Sequence, residues 1–203
     1  KNFYQRLAFD EIFSTFLVNS EIRKKIKKIK KKSKVVNKAK QNKILKKLEF
    51  TLTKDQLKTL EEINNDLSST NKMFRLLQGD VGSGKTIVSL LAAYNTINSG
   101  FQVAFMAPTE ILARQHFNFA KKLFSNQINI QLISGKSEYK TKKEILKKLA
   151  DNKIDIIFGT HAIFQKKVFF KNLGLIVIDE QHKFGVNQRK RLSDKGGKDC
   201  DVL

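Results

Sequence analysis

A chain of 203 residues with 40% hydrophobic content is long enough to bury one good core. One cysteine, Cys200, excludes an internal disulfide framework and fits a reducing compartment; the three histidines (His116, His161, His182) lack metal-ligand spacing, and no run approaches the roughly 18 apolar residues of a membrane span. The net charge of +21 points toward nucleic acid, yet nearly all of it is lysine in a chain also rich in Asn, Ile and Phe, as an A+T-rich coding bias would produce, so the charge speaks to association rather than fold.

No signal-peptide pattern is visible, and the first residue is Lys1 rather than Met. Residues 1–22 carry apolar side chains at Phe3, Leu7, Ile12, Phe13, Phe16 and Leu17, a spacing that predicts a helix with one buried face. Ile22, Ile26 and Ile29 extend it into a lysine block. From Arg23 to Lys47 there are 14 basic residues and no acidic one. The reading is a long, increasingly basic helix over 1–32, then a polar linker or second helical piece over 33–48. The block is either a phosphate-contacting surface or a solvated charged segment.

A different regime starts at Phe50. Leu57, Leu60, Ile63 and Leu67 mark a helix that Thr53 caps. Short apolar runs then alternate with amphipathic stretches: strands over 74–78, 102–107, 129–133, 155–158 and 174–178, helices over 85–98, 110–124, 138–150 and 187–194. Such alternation builds an α/β fold with a central parallel sheet, whose ligands bind at the carboxyl ends of the strands.

Gly79-Asp80-Val81-Gly82-Ser83-Gly84-Lys85-Thr86 fits the phosphate-binding pattern G-x-x-x-x-G-K-[ST] and sits between a predicted strand and a predicted helix. Gly79, Gly82, Ser83 and Gly84 let backbone N–H groups close around phosphates, and the helix start adds its positive dipole end. Lys85 is expected to reach the β- and γ-phosphates, and Thr86 to place its hydroxyl on Mg²⁺. The apolar run Leu175-Ile176-Val177-Ile178 leads into Asp179-Glu180-Gln181-His182. Asp179 is placed to hold Mg²⁺ through water, and Glu180 to act as base for the attacking water.

Further segments join these two: Ala107-Pro108-Thr109-Glu110-Ile111-Leu112-Ala113-Arg114-Gln115-His116 and Gly159-Thr160-His161-Ala162. In this order the motifs resemble the first motor domain of superfamily 2 helicases and translocases. More narrowly they resemble the RecG-type branched-DNA helicases of bacteria, and the resemblance covers nearly the whole chain. Asp179 to Arg189 is similar to that family's extended carboxylate segment, with Lys183 where Arg is usual, and Phe50 to Gln56 to its adenine-recognition stretch. Ser134-Gly135-Lys136-Ser137 departs from the usual Thr-Gly-Ser, although Ser still supplies a hydroxyl, and the lysine block is denser than the family needs.

The resemblance implies a RecA-like P-loop NTPase domain over 49–203, truncated at its C-terminal end. A basic helical linker over 1–48 would precede it, coming from an upstream wedge domain. It implies that Gln56 reads the adenine edge and Phe50 stacks on the base. Pro108, Thr109, Arg114, Gly135, Gly159, Thr160 and His161 would face DNA, mostly its phosphates, and His182 would couple hydrolysis to strand movement. For Thr109 and Thr160, helix capping is the competing role. Cofactors would be ATP and Mg²⁺. Partners would be forked and junction DNA, with single-stranded-DNA-binding protein as a further one, acting with a monomer in the bacterial cytoplasm and not at a membrane.

The implied activity is ATP-driven translocation on duplex DNA that remodels replication forks and Holliday-type junctions in recombination and repair. A second RecA-like domain bearing arginine fingers would follow Leu203. Two alternatives stand beside this one. The motor of a transcription-repair coupling translocase is similar, although GDVGSGKT and DEQH lean toward RecG. The segment by itself would be a nucleotide- and DNA-binding module without efficient hydrolysis.

Overall fold

The computed structural model describes residues 6, 9–10, 12–14, 17, 20–21, 28–135, 139–165, 167–180 and 196–203. Its helices are α1 (Lys38–Leu45), α2 (Lys54–Ser68), α3 (Lys85–Asn98), α4 (Glu110–Phe124) and α5 (Tyr139–Ala150). Its strands are β1 (Gln102–Met106), β2 (Ile130–Ile133), β3 (Ile156–Gly159), β4 (Leu173–Ile178) and β5 (Asp201–Val202). They form one sheet in the order β2-β3-β1-β4-β5, with every pair parallel. The parallel sheet follows from the strand sequences, which are apolar almost without a break because both faces are covered.

Residues of alternating parity enter two cores. Val103, Phe105, Ile156, Phe158, Leu175 and Val177 pack beneath α1–α4, whereas Ala104, Met106, Ile157 and Ile176 pack against Ile145 and Leu149 of α5. α3 is buried continuously from Ile87 to Thr96, because α1 and α2 lie over it and the sheet lies under it. A β-bulge interrupts the parity of β4: Gln102 faces Leu173, but Val103 faces Leu175. The extra residue is Gly174, where a Cβ would lie 2.4 Å from that of Phe101. Leu173 and Ile176 therefore share one face although three positions separate them.

The strands end level. Met106 is in register with both Gly159 and Ile178, and Ile133 with Gly159, so the segments that leave these strands open along one sheet edge. Four of the five predicted strands match observed ones to within a residue or two. The run over 74–78 does not form a strand. Phe74 makes a single parallel bridge to Val202, with Arg75 N–H donating to Val202 O at 3.0 Å and Val202 N–H to Met73 O at 3.0 Å. Two-residue β5 offers no further ladder, and Phe74 and Leu76 stay exposed. The predicted helix over 187–194 lies outside the described residues.

The N-terminal part differs from its periodicity in two ways. The described residues between Arg6 and Glu21 are helical, but Ile12, Phe13 and Leu17, which the spacing assigns to a buried face, are exposed. The helix also stops short of residue 32: Lys28 is in a turn, Lys30 bridges Asn71 antiparallel, and 31–37 has no regular secondary structure. The competing partner is the α/β domain itself. Lys31 N–H donates to Thr70 O at 2.8 Å and Lys34 N–H to Leu67 O at 3.0 Å. α1 then starts at Asn37, whose side chain caps Lys40 N, and Ile44 is fully buried among α2 and α3.

Two buried polar groups fasten this segment. Gln41 Oε1 accepts from Asn64 Nδ2 (3.0 Å) and Asn95 Nδ2 (2.7 Å), tying α1 to α2 and α3. Asp201 Oδ2 accepts from Lys31 Nζ (2.5 Å) and Lys34 Nζ (2.7 Å), and its Oδ1 accepts from Met73 N–H (2.7 Å). All three charged side chains are fully excluded from solvent. Burial pushes the Lys31 ammonium below the usual lysine range, opposed by the neighbouring Asp201 carboxylate.

Candidate functional site

The sheet edge divides into two halves. β5 separates the segment entering the glycine loop from β4, which leads into Asp179, so at Phe74 that segment lies two strand spacings from β4, about 10 Å. β1, β3 and β2 occupy the other half. The segments with Pro108, Thr109 and Arg114, then Gly159, Thr160 and His161, then Gly135, leave from those three strands.

In the first half, Gly82 and Gly84 take left-handed backbone (φ +81° and +83°), and Gly84 is the residue from which α3 starts. A Cβ at Gly84 would lie 2.3 Å from Gln56 Nε2, and one at Gly79 would lie 2.7 Å from Ser83 Oγ. Asn37, Thr53 and Thr109 cap α1, α2 and α4 with their side chains; α3 has neither a side-chain cap nor an acidic residue in its first turn. Its positive end thus remains open to an anion. Lys85 Nζ donates to Gly79 O and Asp80 O, both at 2.7 Å, so the loop wraps around the ammonium. Wrapped backbone, an uncapped helix start and an enclosed cation fit a phosphate chain. Thr86, partly buried, stands one position further along α3.

Gln56 is held at both ends. Its Oε1 accepts from Thr53 N–H (2.9 Å), completing a capping box with Thr53 Oγ1, while its Nε2 donates to Ser83 O (2.8 Å). The residue expected to read a base therefore also splints the glycine loop to α2. Phe50, half-exposed, precedes this helix and presents an open aromatic face.

Asp179 sits at the end of β4, its N–H donating to Met106 O at 2.9 Å. Its Oδ2 accepts from His116 Nε2 at 2.8 Å. Composition and spacing give His116 no role, because the two residues are 63 apart and meet only when α4 folds back over β1. The signal available in the sequence is positional: His116 lies seven residues after Thr109, two helical turns from the start of α4. Glu180 is exposed and has φ +53°, an uncommon conformation for a residue with a side chain. His182 lies outside the described residues.

In the other half, Thr109 Oγ1 accepts from Leu112 N–H at 3.2 Å, so capping occupies part of its hydroxyl. Glu110 Oε1 accepts from Gly135 N–H at 2.5 Å, which holds the segment after β2 against the start of α4. Thr160 is buried and makes no side-chain cap to the 3-10 turn His161–Phe164. Gly159 is tightly packed, since a Cβ would meet Ile133 O at 2.6 Å. Arg114, Gly135 and His161 are exposed, and Pro108 is partly so. The structure therefore brings these seven residues to one side of the sheet edge, with Gly159 and Thr160 as floor rather than surface. Among the described residues no group of His, Cys, Asp and Glu forms a metal cluster, and no helix is long and apolar enough to cross a membrane.

A parallel α/β sheet with a glycine loop and a carboxylate-tipped strand on one edge defines a P-loop nucleotide-binding domain. The chain belongs to the DEAD/DEAH box helicase family, whose model matches residues 53–199. It is 45% identical over 195 residues to the ATP-dependent DNA helicase RecG of Aquifex aeolicus, covering 96% of this chain and 25% of that protein. To RecG of Bacillus subtilis it is 51% identical over 160 residues, 78% of this chain and 23% of that one. A solved structure of RecG bound to a three-way DNA junction superposes with a TM-score of 0.84 at 42% identity, covering 98% of this chain and 27% of that one. The chain spans about a quarter of the length of these relatives.

Proposed function

We propose that this chain is the linker (1–48) and first motor domain (49–203) of a RecG-type enzyme that uses ATP hydrolysis to move on duplex DNA and remodel forks and junctions in the bacterial cytoplasm. The observation that carries the reading is the sheet edge, with the glycine loop and Asp179-Glu180 on one half and the expected DNA-facing segments on the other. The likeness to RecG, including the junction-bound structure, supports DNA as the partner. The last part of the linker is docked on the motor through Lys31, Lys34 and Ile44.

Mg²⁺ and ATP, when bound, supply the phosphoanhydride bond that is cleaved and the cation that spreads its charge. Lys85 exchanges the carbonyls of Gly79 and Asp80 for phosphate oxygens. Thr86 and Asp179 are the residues that would hold the cation. Glu180 accepts the proton of the attacking water at its carboxylate. Gln56 and Phe50 hold the base, by hydrogen bond and by stacking. Pro108, Thr109, Arg114, Gly135 and His161 grip phosphate over Gly159 and Thr160, which carries little sequence information and suits a motor on any DNA. His182 would couple the two halves.

Glu180→Gln in the complete protein tests this reading. ATP binding is expected to persist, with DNA-dependent ATP turnover reduced by about 10²–10⁴-fold, the usual contribution of a general base. Turnover at the wild-type rate overturns the assignment.

A further inference from the structure

We propose that His116 is a positioning residue that fixes the carboxylate of Asp179 and joins it to the helix on the DNA-facing half of the sheet edge. The hydrogen bond crosses the division between the halves. His116 belongs to α4, which Thr109 caps and Glu110 begins, and Asp179 directly follows β4. The imidazole is largely buried (side chain 11% exposed) and lies on Phe105, with ring centroids 5.1 Å apart. That packing leaves the ring little freedom, so Nε2 is held where it meets Oδ2 at 2.8 Å. A carboxylate oxygen accepts, which puts the imidazole proton on Nε2.

The backbone of Asp179 is fixed by its own bond to Met106 O and one oxygen of its side chain is held by His116, while the other has no hydrogen-bond partner among the described residues and is available to a cation or its water. Orientation of a metal-side carboxylate by an outer hydrogen bond commonly alters metal affinity or activity about 10–100-fold. α4 also carries exposed Arg114 and, through Glu110, grips the segment after β2 at Gly135. A shift of α4 when DNA is gripped would therefore move the donor that holds Asp179. Gln56, by contrast, ties α2 to the glycine loop within the nucleotide half.

The inference rests on Asp179 being the cation-side carboxylate of the proposed function. The test uses His116→Phe, His116→Gln and His116→Ala in the complete protein. Phe keeps the ring packing on Phe105 and removes the donor; Gln keeps a donor at a similar reach. Two quantities are measured: the Mg²⁺ concentration giving half-maximal DNA-dependent ATP turnover, and the Mg²⁺-dependent tightening of N-methylanthraniloyl-ATP binding, read by fluorescence without turnover. His116→Phe and His116→Ala are expected to raise the Mg²⁺ requirement about tenfold and to abolish most of the tightening. His116→Gln is expected to stay within about threefold of wild type, the range of a retained donor. Binding of the fluorescent nucleotide in EDTA should be equal in all, which verifies that the glycine loop is folded.

A wild-type Mg²⁺ requirement in His116→Phe, or equal impairment of the Phe and Gln variants, overturns the proposal. If His116→Phe does not fold, the Ala and Gln variants decide it: recovery by Gln alone supports it, and equal loss overturns it. Absence of turnover in the wild type would instead refute the nucleotide-hydrolase reading.

Discussion

Cys200, from which composition yields only a statement about compartment, sits buried between β4 and the Gly196 turn. Burial pushes its thiol up to about 12, with nearby Lys72 opposing. An unfolded thiol ionises near 8.5. The folded state thus holds a proton that the unfolded state releases, and the resulting stability is complete below about pH 8.5 and is lost as pH rises toward 12. Between those values the unfolding free energy of the wild type is expected to fall by up to about 1.4 kcal/mol per pH unit more than that of Cys200→Ala. Parallel slopes in urea titrations across that range would refute it. At this scale the sequence shows the residues proposed as functional from their identity, such as Lys85, Asp179 and Glu180. It hides those proposed from their position in space, such as His116, because a hydrogen bond across 63 positions leaves no local pattern.

At the scale of elements, periodicity locates α2 to α5 and β1 to β4, and Thr53 and Thr109 cap as their types predict. It fails where tertiary pairing overrides it. Ile29 continues a helical stripe, yet the chain leaves the helix so that Lys31 and Lys34 reach Asp201. The run over 74–78 has strand composition but only a two-residue partner. The exposed Ile12, Phe13 and Leu17 show a helical repeat whose covering surface is not among the described residues. The lysine pair gives a sharp test. Asp201→Asn leaves two buried ammonium groups facing a neutral amide, and removing one side of a buried pair typically costs about 3–5 kcal/mol. Lys34→Met, which keeps an apolar body over Phe101 and leaves Lys31 with Asp201, should cost less. Thermal unfolding that ranks the two in the opposite order would contradict this account.

For the whole molecule, the net charge of +21 separates into parts with different roles. Lys31 and Lys34 are buried and cannot meet a phosphate, whereas Lys32, Lys38, Lys43, Lys46 and Lys47 are exposed. Replacing Lys43, Lys46 and Lys47 together by Ala should flatten the dependence of log affinity for duplex DNA on log salt by about 0.9 for each phosphate that the variant no longer neutralises. An unchanged slope would make this part of the block a solvated surface. The charge total visible in the sequence cannot make this division, since burial sorts lysines that are chemically identical.

The bond between Asp201 and Lys31 spans 170 positions, and Met73, in the segment that leads to the glycine loop, hangs on the same carboxylate. During synthesis the two lysines emerge well before the carboxylate that joins them. Until it arrives the edge segment has no strand to lie against, since Val202 supplies the two backbone hydrogen bonds that pair Met73 and Arg75 with the sheet. The segment that leads into the glycine loop thus pairs with the strand of this sheet that leaves the ribosome after the other four, so its place at the sheet edge is fixed only once the last residues of this chain are made.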